Sequence, residues 1–195
     1  MTAPIRLLAF AGSLRSGSFN RRLIHTLAQG AADAGAEVDL IQLRDFPLPV
    51  YDGDIEAAGM PENVRALQAR LAAADGLLIA TPEYNGSMPA LVKNTLDWIS
   101  RPQADGSDGT RLFSGKVAGI CSASPGALGG LRSLLVLRDA LSKLGLWVCP
   151  AQVAVGGAGT AFADDGTLID ERRRAQVQGV GEQVARAAAA WRRNA

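Results

Sequence analysis

The sequence predicts an α/β protein: a doubly wound, five-stranded parallel sheet with helices on both faces. Three observations predict it. Apolar runs of strand length alternate with helical periodicities along the whole chain. Several of the strand candidates are nearly continuous in aliphatic residues, as strands covered on both sides are. The unusual polar and glycine-rich stretches follow strand candidates, at the end of the sheet where such folds carry their ligands.

The elements follow in order. Residues 5–12, IRLLAFAG, form the first strand. Ser18 caps a helix with Leu23, Ile24, Leu27, Ala28 and Ala31 on one face, ending near Gly35. Residues 36–43 alternate as a second strand, and residues 44–54 are a proline-rich loop. Residues 61–75 read as a helix with proline near its first turn, and residues 76–81, GLLIAT, as the third strand. A loop then leads to a helix starting near Pro89. A loop rich in Gly and Asp fills residues 101–114, and the fourth strand spans residues 116–124. A helix over 129–145 closed by glycine, a fifth strand over 146–155 and a last helix from about 170 to 193 complete the chain. Five such strands fit the flavodoxin-like order 2-1-3-4-5. The expectation is one domain over residues 1–195.

Composition removes several classes of function. The net charge of +1 supplies no field for nucleic acid or an acidic membrane surface. The cluster Arg172–Arg174 reads as a solvated helix face. Cys121 and Cys149 lie in apolar strand-like runs and read as small buried hydrophobes in a reducing, cytoplasmic setting. No apolar run is long enough for a transmembrane helix, and the first run is too short for a signal peptide. No cluster of His, Cys and carboxylates has metal-ligand spacing. His25 lies within the first helix and reads as structural or surface.

Three loops carry the chemistry. The first, GSLRSGSFN at residues 12–20, sits at a helix N-terminus, where unpaired N–H groups and the dipole attract an anion. Ser13 and Ser18 add hydroxyls and Arg15 a guanidinium; charge-assisted hydrogen bonds of this kind contribute about 1.5–3 kcal/mol each. The glycine spacing matches neither a Walker P-loop nor a dinucleotide fingerprint. The second, TPEYNGSMP at residues 81–89, offers a tight turn, the ring of Tyr84 to cover a planar ligand, and Asn85 with backbone N–H groups for polar ring edges. The third, SASPGALGG at residues 122–130, has glycines that let a backbone or a flat ring approach closely. Together they describe a phosphate at one end and a flat polar ring at the other, the shape of FMN.

These loops, extended to GSLRSGSFNRRL, PEYNGSMPALVKNTLDWISRP and GKVAGICSASPGALGGLRS, and the tail GAGTAFADDGTLIDE, resemble the NADPH-dependent FMN reductases, a flavodoxin-like group that includes bacterial chromate and quinone reductases. The resemblance covers nearly the whole chain. It implies that Ser13, Arg15, Ser18, Phe19 and Asn20 hold the FMN phosphate. It implies that Pro82, Glu83, Tyr84, Asn85 and Gly86 line the isoalloxazine, and that Ser122 and Ser124 close its other side. It also implies ping-pong chemistry: hydride passes from NADPH or NADH to the flavin N5, then on to a quinone, metal oxyanion or similar small acceptor. No protein acid or base is required; Glu83 and Arg101 are the ionisable residues to watch. The resemblance further implies a homodimer or homotetramer, for which the helix beginning near Pro89, with Leu91, Leu96, Trp98 and Ile99, offers one surface. A flavin reductase supplying reduced FMN to a monooxygenase fits the same loops, and a flavodoxin-type electron carrier fits the fold.

Overall fold

The computed structural model describes residues 3–194. Its strands are β1 (Arg6–Ala11), β2 (Glu37–Ile41), β3 (Gly76–Thr81), β4 (Val117–Ala123), β5 (Trp147–Val148) and β6 (Val153–Val155). Its helices are α1 (Phe19–Asp33), α2 (Gly53–Ala58), α3 (Glu62–Ala72), α4 (Ala90–Ile99), α5 (Leu131–Lys143) and α6 (Glu171–Asn194). The sheet is parallel in the order β2-β1-β3-β4-β5, as the alternation predicts, with β6 also pairing β4.

The pleat explains the two layers. In β1, Leu7 and Ala9 point to the face covered by α1 and α6, whereas Leu8 and Phe10 point to the face covered by α3, α4 and α5. β3 and β4 are buried along their whole lengths, while β2 alternates as an edge strand does. Its exposed carboxylates, Glu37 and Asp39, pair with Arg6 and Arg70 and blunt that edge.

Helices α1 and α6 meet backbone to backbone. A Cβ on Gly30 would lie 2.0 Å from the Gln178 carbonyl oxygen, and one on Gly181 would lie 2.1 Å from that of Leu27. Only glycine permits that approach, which packs Leu23 and Leu27 among Val177, Val180 and Val184.

Three expectations change. The fifth strand is two short segments, β5 and β6, separated around Pro150, which has no N–H for the ladder. The proline-rich segment is followed by the short helix α2, capped by the Asp52 carboxylate accepting from the Asp54 N–H at 2.8 Å. The α4 surface offered for assembly is mostly core: Trp98 is fully buried, with its indole N–H donating to the Pro49 carbonyl, and Leu96 and Ile99 are buried beside it. No helix among the described residues is long and apolar enough to cross a membrane.

Candidate functional site

β1, β3 and β4 end level with one another. Ala11 lies beside Ala80, and Thr81 beside Ser122, so the three loops leave the sheet side by side. Strand order reverses between β1 and β3, the crevice where parallel sheets bind ligands.

The first loop starts with a close approach. The Gly12 N–H donates to the Ala80 carbonyl at 2.8 Å, and a Cβ at Gly12 would lie 2.3 Å from a methyl of Val92 in α4. The Ser13 hydroxyl accepts from the Arg15 N–H at 3.4 Å, and the Ser18 N–H donates to the Arg15 carbonyl at 3.2 Å. Ser18 caps α1, its hydroxyl accepting from the Arg21 N–H at 3.4 Å. The N–H groups of Ser16, Gly17, Phe19 and Asn20 find no acceptor among the described residues. Arg15 is exposed, and its guanidinium pairs with no described carboxylate. Four open donors and an uncommitted cation make an anion cradle. The guanidinium of Arg44, from the segment after β2, braces this loop by donating to the Leu14 carbonyl.

Asn20 and Ser122 have structural tasks. The Asn20 amide is buried; its Nδ2 donates to the Ala123 carbonyl at 2.8 Å and its Oδ1 accepts from the Ala123 N–H at 2.9 Å. That clamp ties the start of α1 to the end of β4 and leaves the backbone N–H as the part of Asn20 open to an anion. The buried Ser122 hydroxyl donates to the Gly129 carbonyl at 2.6 Å and so shapes the third loop. Ser124 is half-buried, with its N–H on the Val155 carbonyl and its own carbonyl accepting from Ala158. Gly129 has φ 60° and Gly130 φ 90°, which favour glycine at both positions.

The second loop is a two-residue hairpin. Tyr84 and Ser87 exchange two N–H···O bonds of 3.0 Å, with Asn85 at φ 53° and Gly86 at φ 76°. Positive φ at both central residues is what an Asn-Gly pair of this kind supplies. The turn lifts Tyr84 outward, where it is 49% exposed. Pro82 is held from below: the Ser133 and Thr81 hydroxyls, both buried, donate to its carbonyl at 2.9 and 3.1 Å. Glu83 turns to α5, accepting from the Arg132 N–H at 3.1 Å and from its guanidinium Nε at 2.7 Å. Desolvation raises the Glu83 carboxyl, but the Arg132 hydrogen bond and charge, with the backbone N–H groups of Ser133 and Arg132, outweigh it and hold the pKa below the ordinary carboxylate value. Glu83 is therefore an anion at neutral pH.

Arg101 lies elsewhere. Its Nε donates to the Glu56 carboxylate at 2.7 Å, and its guanidinium stands 5.2 Å from the Tyr51 ring. That group joins α2 to the end of α4. Arg44, Arg132 and Ser133 are absent from the sequence-based set. Ser133 had a signal, a serine on the face of α5 that buries Leu134, Leu137 and Leu141.

The sequence profile of the NADPH-dependent FMN reductases matches residues 5–160. The chain belongs to that family. It is 37% identical over 179 residues to an NAD(P)H-dependent FMN reductase of Pseudomonas aeruginosa, covering 91% of this chain and 92% of that protein. It is 36% identical to a quinone reductase of Pseudomonas putida over 174 residues, 89% of each chain. The flavoenzyme NAD(P)H:(acceptor) oxidoreductase of Paracoccus denitrificans superposes with a TM-score of 0.79 at 29% identity, over 94% of this chain and 97% of that one. As a family member the chain is an oxidoreductase that uses FMN as cofactor and NAD(P)H as electron donor. The loops suit that cofactor: open N–H donors and Arg15 for a phosphate, an exposed tyrosine ring and a flat turn for a planar ring.

Proposed function

We propose that this FMN-dependent NAD(P)H oxidoreductase passes its electrons to a small quinone, and that the three loops hold the flavin. In this reading Ser13, Arg15, Ser18, Phe19 and Asn20 take the phosphate, Asn20 through its backbone. Pro82, Glu83, Tyr84, Asn85 and Gly86 line the ring, and Ser122 and Ser124 support its far side. The observation that carries it is the first turn of α1, where unbonded N–H groups and an unpaired Arg15 adjoin the level ends of β1 and β3.

FMN, when bound, supplies the hydride-accepting centre, so the chain's own residues bind, orient and tune. Arg15 and the loop N–H groups anchor one end. The N–H groups of Asn85 and Gly86, unbonded among the described residues, can meet polar ring edges at the other. Glu83, the one carboxylate in the three loops, is held ionised by Arg132 and orients the Tyr84 turn instead of donating a proton. Support for a quinone comes from relatives so named, including a 2-hydroxy-1,4-benzoquinone reductase of a Burkholderia species, 42% identical over 125 residues. A single domain over residues 1–195, a cytoplasmic location and assembly as a homodimer or homotetramer belong to the same reading; the two cysteines, both buried and unpaired, fit a reducing compartment.

The test is anaerobic spectroscopy of the purified protein. Its flavin absorbance should bleach with NADPH or NADH and return on addition of 1,4-benzoquinone. A protein that takes up no FMN would refute the site, and bleaching that benzoquinone does not reverse would refute the acceptor.

A further inference from the structure

A groove begins where the anion cradle ends. It runs along the outer face of α1, encloses about 470 Å³, and shares Ser16 and Ser18 with the cradle. That volume lies within the range of small-molecule sites. The wall facing α1 is a hairpin over residues 162–168, already built. The Ala163 N–H donates to the Thr167 carbonyl at 2.9 Å, and the Thr167 N–H donates to the Asp165 carboxylate at 2.8 Å. The Phe162 ring stacks on Phe19 of α1, with centroids 6.1 Å apart. At the hairpin tip Gly166, φ 88°, lies against the stem of Arg22; a Cβ there would stand 3.6 Å from the Arg22 Cγ.

The groove offers three kinds of polar group. Arg22 stands one turn past the Ser18 cap, and its guanidinium pairs with no carboxylate among the described residues. Thr26 follows one turn later, and Gln29 at the next turn. The Gln29 Nε2 donates to the Asp33 carboxylate, which leaves its amide oxygen open to accept. Facing α1 are the exposed Asp164 carboxylate, paired with no cation among the described residues, and the Gln178 amide from α6. A guanidinium suits a phosphate, a carboxylate accepts from the hydroxyls of a ribose, and two amides match the donor and acceptor edge of a base. A simple inorganic anion would be repelled by Asp164 and would not use the amides.

We propose that this groove takes the adenylate half of FAD, so that the chain binds FAD as well as FMN. Continuity chooses the dinucleotide. In FAD the adenylate phosphate is joined directly to the flavin phosphate, and the groove opens beside the cradle that would hold the latter. The passage between them is clear: a Cβ on Gly17 would meet nothing within 4 Å, and the N–H groups of Ser16 and Gly17 find no acceptor among the described residues. One phosphate then sits in the turn before α1, and the second meets Arg22. The inference rests on the flavin reading above and extends it from one flavin nucleotide to two.

The test is isothermal titration calorimetry of the flavin-free full chain with FMN and, separately, with FAD. Samples are the wild type, Arg22→Ala, which removes the cation, and Thr26→Trp, which fills the groove. Circular dichroism verifies folding, and both positions lie outside the buried face of α1. The wild type should bind FAD about tenfold or more tighter than FMN, the gain of one charge-assisted hydrogen bond. Each variant should lower FAD affinity by about tenfold while FMN affinity and FMN-supported NADPH oxidation stay as they were. FAD bound no tighter than FMN refutes the groove and leaves the flavin reading standing. A chain that binds neither flavin refutes both. An FAD advantage that survives both variants, or an equal loss for FMN and FAD, refutes the groove as the adenylate's seat. Variants that raise the KM for NADPH and spare FAD assign the groove to the electron donor and overturn the proposal.

Discussion

Replacing Asn20 with alanine tests whether a family-motif residue works by clamping the scaffold. The wild-type amide makes bonds of 2.8 and 2.9 Å to the two backbone groups of Ala123, and the residue is 3% exposed. Alanine leaves that N–H and that carbonyl buried without partners, at about 1–3 kcal/mol each. The better helix propensity of alanine returns roughly 0.6 kcal/mol. The net loss is therefore about 1.5–5 kcal/mol. With a urea slope of about 2 kcal/mol per M, the unfolding midpoint of the FMN-free protein should fall by about 0.7–2.5 M. Asn20→Asp keeps the acceptor for the Ala123 N–H but sets a negative charge against its carbonyl, so it should not rescue. The readout is far-UV circular dichroism through a urea titration, beside an FMN titration of the folded protein. A midpoint unmoved by Asn20→Ala would refute the clamp. Lost FMN affinity at unchanged stability would instead make the side chain a direct cofactor ligand.

Arg15→Ala should weaken FMN binding by about 1.5–3 kcal/mol, read by fluorescence titration, with little change in unfolding; an unchanged Kd would remove Arg15 from the phosphate cradle. In α6, Gly181→Ala forces its methyl group onto the Leu27 carbonyl, and overpacking of about 1–3 kcal/mol outweighs about 1 kcal/mol of helix propensity, so the melting temperature should fall. Gly179→Ala, where a Cβ meets nothing within 4 Å, should raise it; both melting alike would contradict the close crossing. Cys121, fully buried with burial pushing its thiol up to about 12, should resist a disulfide reagent at mildly alkaline pH in the native protein and react on unfolding. The Glu83 carboxyl is lowered in the folded chain, so its stabilisation is present above the ordinary value of 4.5 and is lost as pH falls through its folded value. Glu83→Gln should therefore flatten the acid side of a stability–pH curve and leave the neutral side's shape unchanged.

The sheet order and most helices were legible because their cause is local. Aliphatic runs such as residues 76–81 and caps such as Ser18 carry their signals within a few residues. The loops were legible as loops for the same reason, down to a tight turn at Gly86, though not its Asn85–Gly86 geometry. What escaped depends on distant partners. Nothing near Asn20 says that its amide meets Ala123, since the bond spans 103 positions. Arg132 reads as an ordinary surface cation until the fold brings Glu83 beside α5. Trp98 reads as part of an assembly surface until the fold buries it and the Pro49 carbonyl meets its N–H. The break at Pro150 was written in the chain, and the apolar residues on both sides of it concealed it.

The crossing of α1 and α6 has a consequence for the order of events during synthesis. The helix that opens the anion cradle leaves the ribosome well before α6, and its Gly30 face is fitted to Gln178 in α6. Until α6 has emerged, Leu23 and Leu27 lack one side of their packing, and the loop before them has no firm footing. The footing of that loop is thereby tied to the emergence of α6. A chain cut before Glu171 should therefore take up no FMN.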